Sequence, residues 1–224
     1  MRPTDIPLLP RPSGLGDVAA APDLVATTVA MASSVTVKTP DRYGDTAAND
    51  QRRAGVRDAL ARALDVFHAV DRSCTRFRDD SDLMRANARP REWVSVDQWC
   101  YDALREAHEA YDATAGRFDP RVLEDLVRLG YARSFSLGGA EPRTPDQVRS
   151  ERGPLPRWRL GLRESDRAVK LCGEPDDVAA AVDLGGIGKG LAVRWASQLL
   201  LDAGITDHLV EAGGDCYCAG RPGD

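Results

Sequence analysis

Apolar residues recur at helical spacing in two long stretches of the chain. Between Arg52 and Asp71 they fall at Val56, Leu60, Leu64, Phe67 and Val70. Steps of four, four, three and three mark an amphipathic helix. Between Val96 and Ala115, Trp99, Ala103, Ala107 and Tyr111 stand four apart, and Gly116 suits the stop of a second helix. A third apolar run, Ile187 to Ala203, follows a cluster of glycines and closes at Gly204. Elsewhere the pattern is that of strands. Val25 to Val37 is β-branched and Ala-rich and predicts one strand containing Met31-Ala32-Ser33-Ser34. Trp158–Leu162 and Ala168–Cys172 predict two strands of a hairpin or meander. A short strand ends at Asp183, and Leu209–Ala212 and Asp215–Ala219 flank Gly213-Gly214 as two more.

The polar segments between these runs carry the punctuation. Tyr43 to Asp50 is a polar loop. Cys74 to Asn87 reads as an ordered loop with a short helix behind it, capped by Asp80 or Ser81. Asp119-Pro120 has the N-cap and N1 signature of a helix running through Val122, Leu123, Leu126 and Val127 to Gly130. Thr144-Pro145 opens another short helix by the same logic, and Pro175-Asp176-Asp177 a short Ala-rich one. The first 24 residues are rich in Pro, Gly and Ala and are expected to be poorly ordered, which leaves 25–224 as one domain. There is no internal repeat. Helices and strands mix without strict βαβ alternation, so the fold class is α+β.

Composition narrows the function classes. The chain has 224 residues, is 42% hydrophobic and carries a formal net charge of -5. It can bury a core, and it lacks the basic balance that general nucleic-acid binding requires. No apolar run is long enough to cross a bilayer. The start, Met1-Arg2-Pro3-Thr4-Asp5-Ile6-Pro7, lacks the apolar core of a secretory signal, and no N-terminal cysteine offers a lipid site, so the expected location is cytoplasmic. Cys74, Cys100, Cys172, Cys216 and Cys218 match no disulfide or zinc framework and are expected to be reduced and mostly buried. His68, His108 and His208 sit in no motif, and there is no G-x-S-x-G.

The richest chemistry lies in Val182-Asp183-Leu184-Gly185-Gly186-Ile187-Gly188-Lys189-Gly190-Leu191-Ala192-Val193. An acid, a turn of glycines, a lysine and a helical run follow one another without a spacer. Glycine backbone can approach a ligand closely, and a helix start presents N–H groups and the positive end of its dipole to an anion. The segment fails the P-loop pattern, because Gly190 follows Gly188-Lys189 where a hydroxyl residue is required and Asp183 stands where the first glycine belongs. It also fails G-x-G-x-x-G. By itself it is either a phosphate-binding turn or a strand-to-helix turn whose glycines only permit close packing. Arg117-Phe118-Asp119-Pro120 by itself fits a capped helix better than a site.

Taken together, several segments resemble the ApbE family, the FAD:protein FMN transferases. Met31-Ala32-Ser33-Ser34-Val35-Thr36-Val37 resembles the family's early Met-Gly-Thr strand, and Thr75-Arg76-Phe77-Arg78-Asp79-Asp80-Ser81-Asp82-Leu83 its Ser-Thr-Tyr-Arg-Pro-Asp-Ser-Glu segment, with Asn87 at the following Leu-Asn. Gly116-Arg117-Phe118-Asp119-Pro120 resembles Gly-Ala-Phe-Asp-Pro. Asp183 to Val193 resembles Asp-Leu-Gly-Gly-Ile-Ala-Lys-Gly-Tyr-Ala-Val, and Leu209 to Asp215 the later strand-Gly-Gly-Asp. The resemblance runs from Met31 to the last residue. It implies a single T-fold-like α+β domain with mixed helices and mostly antiparallel strands. It also implies magnesium-dependent movement of the FMN half of FAD onto a threonine of a target protein, with AMP released. Family targets are flavin-carrying subunits of membrane redox pumps and related reductases; some members hydrolyse FAD to FMN and AMP instead.

Carried over residue by residue, the resemblance makes the Gly186 carbonyl a magnesium ligand. Asp183 would hold a polar part of FAD, and Lys189 would sit by the flavin or its phosphates. Met31, Ala32, Ser33, Phe77, Arg117, Phe118 and Asp119 would wall the cofactor. The chain departs from the pattern at Phe77 (usually Tyr), Arg117 (a small residue), Gly188 (Ala), Arg194 (Asp) and Glu211 (Asn). The family's later His-Ile-Ile-Asp-Pro segment and its further Asp and Thr magnesium ligands have no counterpart before Asp224, which reads as a C-terminally truncated chain. A non-catalytic FAD-binding protein and a FAD pyrophosphatase are the alternatives.

Overall fold

A computed structural model describes residues 23–43, 46–131, 144, 146–148, 155–175 and 177–220. Two antiparallel sheets and five helices of six residues or more make up the described part. The larger sheet has the order β1-β2-β6-β7, from β1 (Asp23–Ala30), β2 (Ser33–Pro40), β6 (His208–Ala212) and β7 (Asp215–Ala219). The smaller has the order β3-β5-β4, from β3 (Val94–Ser95), β4 (Gly161–Arg163) and β5 (Ala168–Lys170). The helices are α1 (Ala47–Cys74), α2 (Asp82–Ala88), α3 (Gln98–Ala113), α4 (Leu123–Arg128) and α5 (Gly188–Asp202). This is the mixed, antiparallel α+β arrangement expected.

The core forms where α1 lies against β1, β2, α3 and α5. The predicted stripe of α1 faces inward: Leu60, Phe67 and Val70 are almost fully buried. On α3, Cys100, Ala103, Leu104, Ala107 and Tyr111 are buried at the three-and-four spacing of one helix face, and Tyr101 is buried beside them. Strand β6 alternates buried and half-buried positions, and Val35 and Val37 of β2 are fully inaccessible, so one face of the larger sheet seals against the helices. Each such aliphatic or Phe side chain contributes about 1.5–3 kcal/mol by leaving water. Trp99 of α3 and Trp195 of α5 meet with ring centres 5.4 Å apart and link those helices.

Several boundaries differ from those expected, each for a local reason. The run Val25–Val37 is a hairpin rather than one strand. Ala30 pairs with Ser33, and Met31 and Ala32 between them take φ of 52° and 56°. Two central residues with positive φ are the tight turn that matches strand twist, normally built from Asn and Gly. Its first strand starts at Asp23, so two residues of the segment expected to be poorly ordered are strand; residues 1–22 lie outside the described part. The second half of the polar loop is already helix, because the Thr46 hydroxyl accepts from Asn49 N–H and starts α1 at Ala47. Of the two caps offered for α2, Ser81 accepts from Met84 N–H at 3.2 Å. Asp80 pairs with Arg78 instead, whose hydrogen bonds hold the Asp80 carboxyl below its usual range. Helix α3 ends at Ala113, two residues short of the expected Ala115: Ala115 takes the left-handed conformation, and Gly116 N–H reaches back to Tyr111 C=O at 2.8 Å.

Two helix starts fail. Asp119 does accept Arg121 N–H at 2.9 Å and pairs with the Arg121 guanidinium at 3.0 and 2.8 Å, but no helix follows directly: α4 begins only at Leu123, with no side-chain cap. Among the described residues after Pro175, 177–182 form no helix; the Asp177 carboxylate instead receives Glu174 N–H and the Arg159 guanidinium. Thr144 does open a turn of helix, trading hydrogen bonds with Gln147 in a capping box, while Pro145 and Asp176 lie outside the described residues. Cys74, Cys100 and Cys172 are buried and Cys216 and Cys218 exposed, all as free thiols. A hydrogen bond to Cys74, and then burial, push the Cys100 thiol well up.

Candidate functional site

Segment 182–190 owes its shape to contacts made elsewhere in the sequence. Val182 is not in a strand. The Asn87 side chain stands in for a neighbouring strand, accepting Val182 N–H at 2.8 Å and donating to Val182 C=O at 2.9 Å. Asp183 N–H bonds to Pro120 C=O at 2.7 Å. The Asp183 carboxylate then accepts Gly185 N–H at 2.9 Å, which folds the chain back on itself. A side chain at position 185 would bring its Cβ within 2.9 Å of that carboxylate oxygen, so the close approach needs glycine. Ile187 and Gly188 N–H both turn onto Leu184 C=O, and α5 begins.

The start of α5 is left open. Thr46, Ser81 and Asp97 each put a side-chain oxygen on the first turn of α1, α2 and α3. At α5 the N-cap is Ile187, with no side-chain hydrogen bond. Among the described residues, no backbone group accepts from the N–H of Lys189 or Gly190, and none donates to the Gly186 carbonyl. Unfilled N–H groups at a helix start are an anion site by geometry and by the helix dipole.

A cleft of about 790 Å³ opens beside this helix start. Its size is that of a small-molecule site. Its walls are the Met31-Ala32 turn, His68 and Asp71 near the end of α1, the loop Thr75–Arg78, and Asp183, Gly185, Gly188 and Lys189. The turn is tethered to α1 through Met31 N–H and the Asp71 carboxylate at 3.3 Å. Phe77 presents a half-exposed ring, and the Arg76 guanidinium lies over it at 4.7 Å. Arg76 Nε stands 3.6 Å from Asp183 Oδ2, and Arg76 Nη1 is buried without a hydrogen-bond partner. On the far side of the glycine turn lies a smaller cleft of about 370 Å³, lined by Glu106, Gly186, Lys189, Arg194 and Asp215. Arg194 and Glu106 are paired there at 2.5 Å.

The structure therefore brings Met31, Ala32, Phe77, Asp183 and Lys189 to one cleft. Ser33 sits at its edge, close under the β6–β7 turn. Gly213 there has φ of 57°, and a Cβ on it would fall 2.5 Å from Ser33 Oγ and 3.8 Å from Lys189 Nζ. Arg117, Phe118 and Asp119 do not line the main cleft. Arg117 is exposed, Asp119 is held by Arg121, and Phe118 packs under the turn, 3.6 Å from where a Gly186 side chain would begin. Gly186 opens to the smaller cleft. Among the described residues no three His, Cys, Asp or Glu side chains converge, so they do not by themselves build a metal centre.

These segments converge from across the sequence, and the matching family spans all of them. The sequence profile described as the ApbE family matches residues 31–224. The chain belongs to the ApbE family. Its fold is that of solved ApbE proteins. The ApbE protein of Thermotoga maritima MSB8 superimposes with a TM-score of 0.64 at 21% identity, over 90% of this chain and 60% of that one. The flavin transferase ApbE of Vibrio cholerae gives 0.64 at 20% identity, over 90% and 60%. The apo flavinyl transferase ApbE of Pseudomonas stutzeri gives 0.64 at 22% identity, over 92% and 64%. The chain thus spans under two thirds of the length of these three structures. No curated protein matches its sequence.

Three cleft residues had no signal strong enough to find them. His68 counted as an ordinary helical histidine; it lines the cleft with Nε2 2.9 Å from Thr28 Oγ1. Asp71 sat on the polar face of α1. Arg76 lay in a stretch of alternating charge, where only its place next to Phe77 could have marked it.

Proposed function

We propose that the chain is a FAD:protein FMN transferase, or the FAD-binding part of one. FAD would lie in the main cleft, and its FMN half would pass to a threonine of a target protein. The observation that carries this is the uncapped start of α5, with Asp183 and Lys189 beside it, opening into a cleft of nucleotide size. In the reaction the threonine oxygen attacks the FMN-side phosphorus of the diphosphate. The P–O bond to the AMP half breaks, AMP leaves with that electron pair, and the hydroxyl proton is released. Such a transfer demands alignment and charge neutralisation more than covalent help. The free N–H groups of Lys189 and Gly190 and the Lys189 ammonium would supply part of that neutralisation. Asp183 would hold a polar group of the nucleotide, and Phe77 a ring face.

Magnesium belongs to this reading as an ion brought with the diphosphate. It prefers oxygen ligands and keeps phosphate oxygens and waters among them. The Gly186 carbonyl is the protein ligand we put forward; it opens to the smaller cleft, so the ion would sit across the glycine turn from the main cleft and the diphosphate would have to reach over that turn. No helix among the described residues is long and apolar enough to cross a membrane.

The test is incubation of the protein with FAD, magnesium and a threonine-bearing target peptide. A covalent flavin band in a denaturing gel and one AMP per flavin attached are expected. FMN and AMP without attachment would instead make the chain a FAD pyrophosphatase. FAD bound without release of AMP would make it a flavin-binding protein only.

A further inference from the structure

Among the described residues, Arg76 carries the buried side-chain donor at the site that has no hydrogen-bond partner. Its Nη1 is buried with no acceptor, and its Nε is 3.6 Å from Asp183 Oδ2, beyond an ordinary hydrogen bond. The guanidinium is held by stacking on Phe77 and by the charge of Asp183 rather than by directed bonds. A buried donor left unpaired is unfavourable, and the fold gains nothing evident from it. The side chain lines the cleft, so an acceptor entering there can draw the guanidinium out and complete its bonds.

What Arg76 would bind follows from its neighbours. Asp183 next to it is an acceptor whose Oδ1 already holds Gly185 N–H, while Oδ2 faces Arg76. The two side chains form an adjacent donor and acceptor, neutral as a pair. A neutral pair is a poor clamp for a phosphate, and the open helix start and Lys189 already serve that need. It suits the edge of a flat heterocycle that carries an acceptor beside an N–H. The half-exposed Phe77 ring offers such a heterocycle a surface to stack on.

We propose that Arg76 is a specificity residue. With Asp183 it reads the donor–acceptor edge of a planar ring bound against the Phe77 side of the cleft. The proposal rests on the cleft being a flavin nucleotide site. Both halves of FAD carry such an edge, the dioxopyrimidine ring of the flavin and the amino-pyrimidine ring of adenine, and binding measurements separate them.

The experiment titrates FAD, riboflavin, adenosine and inorganic pyrophosphate into the wild-type chain and into Arg76→Thr and Arg76→Lys. Melting curves establish that each variant is folded. A charge-assisted hydrogen bond corresponds to about a 10- to 100-fold change in affinity. Arg76→Thr is expected to weaken FAD binding by that factor. The same loss should appear with riboflavin if the flavin ring is read, or with adenosine if adenine is. Arg76→Lys, which keeps the charge without the planar fork, should recover little of it. A loss seen with pyrophosphate and with neither nucleoside ligand would make Arg76 a phosphate contact and overturn the proposal. FAD binding unchanged in both variants would also overturn it while leaving the FAD site standing. No FAD binding to the wild-type chain would remove the site itself.

Discussion

Helices α3 and α5 are nearly equal in length, 16 and 15 residues, and both pack against α1, yet their first turns are built on opposite principles. Asp97 closes α3, its carboxylate accepting Trp99 N–H at 3.0 Å. Helix α5 begins with two glycines in its first three residues and an N-cap whose side chain makes no hydrogen bond. Glycine in a helix costs up to about 1 kcal/mol relative to alanine, and a missing cap about 0.5–2 kcal/mol. The Met31-Ala32 turn facing it breaks a rule as well, with two non-glycine residues at positive φ. Local rules hold at the start of α3 and fail around the cleft. Departures from locally favourable sequence concentrate where a ligand is to be held.

The contrast can be broken at its strongest point first. Asp183→Ala removes the carboxylate that shapes the turn and faces Arg76. It should weaken FAD binding by about 1.5–3 kcal/mol, roughly 10- to 150-fold, with the chain still folded. Fluorescence titration and a melting curve check both halves, and unchanged affinity would take Asp183 out of the site. Next, Asp97→Ala should lower stability by about 0.5–2 kcal/mol in a denaturant series and leave FAD affinity unaltered. A change in affinity would mean that α3 is not the purely structural partner in the comparison.

Gly190→Ala acts in the opposite sense. A Cβ there meets nothing within 4 Å, so the helix should gain up to about 1 kcal/mol in stability. Affinity for a diphosphate ligand should fall as the backbone approach closes. Stability and affinity rising together would mean that the glycine serves packing and not the ligand. The smallest effect is expected at the facing turn. Ala32 at φ of 56° is strained, so Ala32→Gly should stabilise the chain by up to about 1 kcal/mol. A loss of stability on that substitution would show that the turn is not strained.

The same contrast sorts what was legible in the sequence. Helices α1, α3 and α5 announced themselves through apolar spacing, and the strands beside Gly213-Gly214 through their turn. The hairpin at Met31-Ala32 did not, because its turn lacks the Asn or Gly that signals one. Asp119 imitated a helix cap, and only the fold reveals that Arg121 takes its carboxylate. Of the site, the Asp183–Lys189 turn and Phe77 were visible as motifs. Arg76 and Asp71 were not, since a single charged residue carries no periodicity and owes its place to the packing of α1 against the turn.

The most direct measurement is a structure of the chain with FAD bound. The diphosphate is expected within hydrogen-bond reach of the Lys189 and Gly190 N–H groups at the open start of α5, with the dinucleotide along the cleft between the Met31-Ala32 turn and Phe77. FAD seated elsewhere, or in the cleft with its diphosphate away from α5, would contradict the assignment of that helix start as the phosphate site.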